Sequence, residues 1–370
     1  MRFRSFLPIV VIALTAAGCG TIDGRYNSRH GGTAFNFAAP PKDHCSPQPP
    51  PAVAAEHQVV LRYFGAGGLY VRWKSTEILL GPFFTNQSLF RAAGVGHVVS
   101  DGERVRQKLT ADGLDVSNVT AILAGHSHYD HIGDVPFVAR ELTPKATIYV
   151  NDSGVNALHA YDDLRERTRS YEHSGAFAVG DIVVTPVPSE HAPQFCRWQI
   201  RLCQYAPGAV EHSWTRSWDQ HKLRDLRGGN THAFVIDLKE GGATLFRIYY
   251  NDAAAGETYG IPRMNDGVPF DVAVLCLANW NHARRYPDAL LKSIQPKHVL
   301  VAHFENFFSR EDKRWTFPPL MTNGAANEFM KRLSTTMPST GVPPTNDFCG
   351  VADDRWSIAV PGSWLTFATR

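Results

Sequence analysis

From residue 58 onward, short apolar runs alternate with glycine, proline and charged turns. Residues 59–64, 69–73 and 77–80 are apolar stretches rich in β-branched and aromatic side chains, with Gly65 to Gly68 between the first two. They predict three consecutive strands. Ser100-Asp101-Gly102-Glu103 has the spacing of a capping box and predicts a helix to about residue 109. Residues 116–123 lead to another short buried strand, and residues 133–140 open like a helix with Pro136 in its first turn. Further on, 147–150 and 181–187 pattern as strands with a helix over 155–167 between them. Residues 231–238 and 243–250 read as paired strands around Gly241-Gly242. The rest predicts strands at 271–277 and 298–302, helices at 287–294 and 325–333, and a late strand pair around Pro361-Gly362. Strands alternating with helices in this way point to a layered α/β fold.

Three stretches break the pattern. Residues 1–17 combine Arg2 and Arg4 with an apolar segment too short to span a bilayer comfortably. Residues 20–57 are rich in glycine, proline and small residues and read as an extended tether. Residues 194–230, rich in Trp, Arg, His and Gly with no clear period, have the length and character of a lid or substrate loop.

Composition narrows the class. The chain is 44% hydrophobic, so the roughly 350 residues left after removal of a leader can bury a substantial core. The net charge is +2, with no basic run and no interleaved aromatic and basic patch, so nucleic acid is not an expected partner. Six cysteines are present. In an oxidising compartment Cys196 and Cys203, close together in a loop-like segment, are disulfide candidates. Cys45 and Cys349 lie near the two ends, and Cys276, inside an apolar run, reads as a buried free thiol. No Gly-x-Ser-x-Gly elbow points to a serine nucleophile.

The densest chemistry is His126-Ser127-His128-Tyr129-Asp130-His131, directly after Gly125 and the apolar run 119–124. Three imidazoles and a carboxylate fall within six positions, in a strand-to-helix loop where a rigid scaffold presents side chains to a pocket. His126 and His128, two apart, point the same way on an extended backbone. Neutral imidazoles with carboxylates suit zinc, with manganese or iron as alternatives. His232 and His282 are weaker candidates for contacting a substrate. Phe83, Phe84, Trp214, Trp218, Phe307 and Phe308 are candidates for an apolar pocket, or for the core.

The motif resembles the HxHxDH signature of the metallo-β-lactamase fold superfamily. The resemblance implies a four-layer αββα sandwich, two mixed β-sheets flanked by helices, with a centre of two divalent metal ions at one edge. Carried over position by position, it implies that His126, His128 and His191 hold one ion and Asp130, His131 and His303 the other. Asp252 would bridge them. His191, Asp252 and His303 each fall just past an apolar strand. His126, His128, Asp130 and His131 would form the catalytic core, around a hydroxide made by two metals that share a water. One departure is Gly81-Pro82, where the family usually has Asp-Pro. Gly81-Pro82-Phe83-Phe84, Asn251-Asp252 and Val301-Ala302-His303-Phe304 loosely resemble one branch, that of ascorbate-6-phosphate lactonase-like and N-acylphosphatidylethanolamine phospholipase D-like proteins. Ala16-Ala17-Gly18-Cys19 is similar to a bacterial lipobox, which implies a signal peptide at 1–18, lipidation of Cys19 and a tether at 19–57. The hydrolase domain would then be 58–370, on the periplasmic side of the outer membrane. The expected activity is metal-dependent hydrolysis of a phosphodiester, lactone or ester, on a small or lipid-like substrate. The alternatives are a lipid-anchored metal-binding protein and a di-iron oxidoreductase.

Overall fold

The computed structural model describes residues 57–92, 96–194, 205–309, 323–337, 350–352, 355–359 and 361–370. Cys19, the tether, Cys45, Cys196, Cys203 and Cys349 lie outside these residues, so neither the leader nor a disulfide is located. Cys276 is a buried free thiol.

Two mixed sheets form the centre. In chain order the strands of the first are β1 (Gln58–Gly65), β2 (Gly68–Trp73), β3 (Thr76–Leu80), β4 (Ala121–Leu123), β5 (Thr147–Val150) and β6 (Thr168–Ser170). The second holds β7 (Phe177–Val179), β8 (Ile182–Pro188), β9 (His232–Glu240), β10 (Ala243–Asn251), β11 (Val272–Cys276), β12 (His298–Ala302), β13 (Gly350–Ala352) and β14 (Trp356–Ala359). The last strand, β15 (Trp364–Ala368), returns to the first sheet and pairs with β1. The spatial orders are β15-β1-β2-β3-β4-β5-β6 and β13-β14-β12-β11-β10-β9-β8-β7.

The helices are α1 (Gly102–Leu109), α2 (Tyr129–Ile132), α3 (Val135–Phe137), α4 (Asp152–Leu158), α5 (Asp162–Arg165), α6 (Asp288–Ile294) and α7 (Asn323–Thr336). Alternation along the strands separates the layers. Odd-numbered residues of β1 and β2, Val59, Leu61, Leu69 and Val71, face the second sheet in one core with Ile182, Val184, Ile236, Ile248 and Val274. On its other face the first sheet presents Val60, Tyr70, Leu79, Ile122 and Ile148, covered by Val105 and Leu109 of α1 and Ala157 and Leu158 of α4. The second sheet is capped by Leu290 and Leu291 of α6 and Phe329 and Leu333 of α7. This is the four-layer αββα sandwich that the resemblance implies.

Several local expectations need correction. The capping box does not form: Asp101 caps α1 by accepting from the Arg104 amide, while the Ser100 hydroxyl turns to buried Asp134. The single helix over 155–167 is two, α4 and α5, because Tyr161 between them is extended (φ −118°, ψ 110°), and Asn151 starts α4 early by accepting from the Gly154 amide. β6 and β7 pass unnoticed because three residues carry no legible period. The late strand pair is no hairpin: β14 pairs with β12 and β13 while β15 crosses to β1. Arg247 is wholly buried in β10, with paired contacts to Asp237 (2.6 and 3.2 Å) and Asp266 (2.9 and 2.6 Å) and a bond to the Val268 carbonyl. It knits β9, β10 and the loop after β10 together at the end of the sheet away from the motif.

Candidate metal centre

The topology explains why distant residues meet. β8 and β10 each pair antiparallel with β9 and so run alike, β11 pairs parallel to β10, and β12 pairs parallel to β11. The residues just past β8, β10 and β12 therefore emerge at one sheet edge, facing the loop that follows β4. That loop is fixed by backbone contacts. The Gly125 carbonyl accepts from the His232 amide at 2.8 Å, and Tyr171 Oη donates to the carbonyls of Ala124 and Gly125 at 2.8 and 3.0 Å. The Ser127 amide donates to the Gly228 carbonyl at 2.9 Å, and Asn151 Nδ2 donates to the carbonyls of Gly228 and Asn230. The segment 205–231 thus forms a wall of the site, and the bare Gly228 backbone lies against the His128 ring, where a Cβ would be 2.9 Å from Nε2.

All seven residues assembled from the motif and the strand ends come together. Potential ligand atoms of His126, His128 and His191 lie within 4.8 Å of one another, as do those of Asp130, His131 and His303, and those of His126, His131 and Asp252. Asp130 Oδ2 is 3.5 Å from His303 Nε2 and 3.8 Å from His131 Nε2. Two donors each about 2.1 Å from a tetrahedral ion sit roughly 3.4 Å apart, so these separations suit a shared ion. The His126 Nε2 atom and both His131 ring nitrogens are buried without a hydrogen-bond partner, as is His303 Nδ1. A buried polar atom left unpaired is costly, which a metal ligand explains. His303 sits in left-handed backbone (φ 54°) with its amide donating to Tyr63 Oη at 2.8 Å. His191 donates Nδ1–H to the Ala192 carbonyl at 2.7 Å, which turns Nε2 to the site.

The charge states fit the same purpose. Desolvation, then repulsion by the neighbouring imidazoles, holds His128 well below its ordinary value. Burial pushes His131 down to about 3 and His191 to about 4. For Asp130 burial opposes ionisation, but His131 and His303 outweigh it and keep the group a carboxylate. Asp252 is likewise held ionised against burial by His131 and His126. Burial alone would lower His303, but the Asp130 carboxylate beside it leaves it raised. Neutral imidazoles with two carboxylates are the donor set of a divalent cation.

His232 and His282 stand apart from these groups. His232 begins β9 with its ring 5.1 Å from that of Tyr171, and His282 Nδ1 contacts the Pro193 carbonyl at 2.5 Å. Of the six aromatics, Phe307 reaches the site, 5.1 Å from the His303 ring and 6.4 Å from Tyr129, with Phe308 beside it at 4.4 Å. Phe83 stands behind Tyr129 at 5.7 Å. Phe84, Trp214 and Trp218 belong to the core beneath the helices or pack against it. Sequence reasoning passed over Tyr129, Tyr205, Asn151 and Asp134. Tyr205 lies 5.8 Å from both His128 and Tyr129, and the hydroxyls of both tyrosines are buried with no partner among the described residues. Tyr129 was visible inside the motif; the others carry no local signal. Asp134 anchors the loop after β3 by accepting from the amides of Phe84 and Thr85 at 2.6 and 2.7 Å.

Residues 77–214 match the model of the beta-lactamase superfamily domain. A UPF0173 metal-dependent hydrolase of Sinorhizobium medicae is 33% identical over 91 residues, which are 25% of this chain; the match spans only 31% of that relative's length. Among solved structures, Igni18, a metallo hydrolase from the archaeon Ignicoccus hospitalis, is 15% identical. That alignment covers 85% of this chain and 100% of the other, with a TM-score of 0.46. CmlA, a diiron β-hydroxylase from Streptomyces venezuelae, is 12% identical over 85% of this chain and 55% of its own, with a TM-score of 0.47.

Proposed function

We propose that this protein is a metal-dependent hydrolase of the metallo-β-lactamase superfamily, whose domain model matches residues 77–214, and that it cleaves an ester or lactone bearing an apolar group. The observation that carries the hydrolytic reading is the convergence of His126, His128, His191, Asp130, His131, His303 and Asp252 in overlapping groups within 4.8 Å. Zinc is the ion this nitrogen-rich set favours, with manganese and iron as alternatives. When bound, two such ions supply a water-derived nucleophile at neutral pH and polarise the substrate oxygen.

The chain's own residues prepare that chemistry. His128, His131 and His191 are kept neutral by burial, so three imidazoles offer lone pairs at pH 7 with no proton to displace. Asp130 stays anionic between His131 and His303 and holds both rings in place. The hydroxyls of Tyr129 and Tyr205 are pushed by burial above their ordinary values and remain protonated. Each is a donor available to a substrate oxygen. Phe307, Tyr129 and Tyr205 give the site an aromatic wall, which supports an apolar acyl or aryl group over a strongly charged one.

The N-terminal Arg2, Arg4 and Cys19 support action at the cell envelope from a lipid anchor. The reading is tested with a panel of aryl esters, lactones and phosphodiesters, assayed with zinc-loaded protein and again after chelation. Hydrolysis of an ester or lactone that stops on chelation is expected. Hydrolysis confined to phosphodiesters would overturn the substrate class, and turnover that survives complete metal removal would overturn the metal dependence.

A further inference from the structure

We propose that Asn151 is a positioning residue that latches the wall 205–231 to the metal loop and so sets where Tyr205 stands beside His128. This role rests on the hydrolytic reading above and deepens it: Asn151 fixes the side of the pocket that receives the substrate's apolar group.

Asn151 follows β5, caps α4 and is wholly buried. Its side chain uses every hydrogen-bonding position it has. Oδ1 accepts from the Gly154 amide at 2.9 Å and from the Ser127 hydroxyl. Nδ2 donates to the Gly228 carbonyl at 2.6 Å and to the Asn230 carbonyl at 2.9 Å. The amide group cannot be turned over, because the Gly154 amide only donates and the two carbonyls only accept. Three parts of the fold therefore meet at one side chain: the start of α4, the residue between the ligands His126 and His128, and the wall.

The contact carries through the wall to the pocket. The Gly228 carbonyl also accepts from the Ser127 amide at 2.9 Å, so Asn151 and the metal loop hold the same oxygen. The Gly228 and Gly229 amides donate to the carbonyls of Ala206 and Gly208 at 3.4 and 2.9 Å. What holds Gly228 thus holds the backbone next to Tyr205, whose ring is 5.8 Å from that of His128. Both glycines leave room for this fit. A Cβ at 228 would stand 2.9 Å from His128 Nε2, and one at 229 would stand 2.6 Å from Asn151 Nδ2. The metal loop has supports of its own, since the Gly125 carbonyl accepts from the His232 amide and the Tyr171 hydroxyl. Releasing Asn151 should therefore move the wall and leave the ligands in place.

The test compares the zinc-supplied full chain of the wild type with that of Asn151→Asp. Aspartate keeps the shape, both acceptor roles and a good helix cap, but turns a carboxylate oxygen towards two carbonyls. Hydrogen–deuterium exchange should run at least about tenfold faster over 205–210 and 226–231, with α4 at its wild-type rate. On the ester or lactone that the panel identifies, KM should rise about tenfold or more while kcat changes less. Gly229→Ala pushes on the same contact from the wall and leaves Asn151 in place. It should give the same pattern, and it stands in if Asn151→Asp does not fold. Wild-type exchange in both wall segments overturns the inference. So does faster exchange spread evenly over the chain, which a merely structural role would give, and so does a fall in kcat at constant KM. A wild type that hydrolyses nothing on the panel overturns the hydrolytic reading alone, and the exchange rates still decide the role of Asn151.

Discussion

Gly125→Ala is the sharpest small perturbation available at the site. Gly125 has no positive φ, so alanine there meets no backbone strain, only neighbours. The added Cβ would lie 2.6 Å from the His232 carbonyl oxygen and 2.7 and 2.9 Å from the Asp252 carboxylate oxygens. All three are closer than real Cβ contacts come, and the first is to backbone on β9 that cannot swing aside. Overpacking of this kind costs about 1–3 kcal/mol of stability. The displacement falls on the Gly125–Asp252 bond and on the contacts of Asp252 with His126 and His131. Disturbing such a supporting group weakens metal binding about 10–100-fold. At roughly 1.4 kcal/mol per tenfold this is about 1.4–2.8 kcal/mol. The assay pairs a zinc competition titration with urea unfolding of metal-free protein. Both quantities should fall, and the folded variant should keep its two sites. Unchanged zinc affinity and stability would refute the packing argument.

Lowering the pH should strip the two sites unequally. His303 is held above its ordinary value by Asp130, so it must lose a proton before it can ligate, whereas His131 and His191 stay neutral down to about 3 and 4. Zinc titrations at pH 7.5 and 5.5 should weaken the Asp130–His131–His303 site more than the other; an equal loss would contradict this. In metal-free protein the depressed His131 and His191 contribute stability that is present above about pH 6.5 and lost as the pH falls towards 4, because the unfolded chain takes up protons that the fold refuses. Urea midpoints across that range should show it. Arg247→Met should cost about 3–5 kcal/mol in urea unfolding, because it leaves buried Asp237 without its partner; a loss under about 1 kcal/mol would mean that the ion pairs contribute little. Cys19→Ser should move the protein from the membrane to the soluble fraction, and unchanged fractionation would exclude the lipid anchor.

Much of this was legible in the chain. The ligand set came from the family resemblance, which joins the dense motif to three residues past apolar strands, and strand direction sends those strand ends to one edge. Packing pairs were harder to read. β15 looks like the partner of β14 until the first sheet is seen to need an edge strand beside β1. Tyr205 and Gly228 reach His128 from a segment without periodicity, and Tyr63 reaches His303 across 240 positions. The resemblance singled out Asp252, but its bond to the Gly125 amide depends on the room that glycine leaves.

The most direct test of the metal centre is a count of metal ions per chain. The soluble domain, purified without chelator and supplied with zinc, should carry two ions by native mass spectrometry, and hydrolysis of the responding substrate should rise with occupancy. A folded domain that holds fewer than one ion per chain would contradict the account.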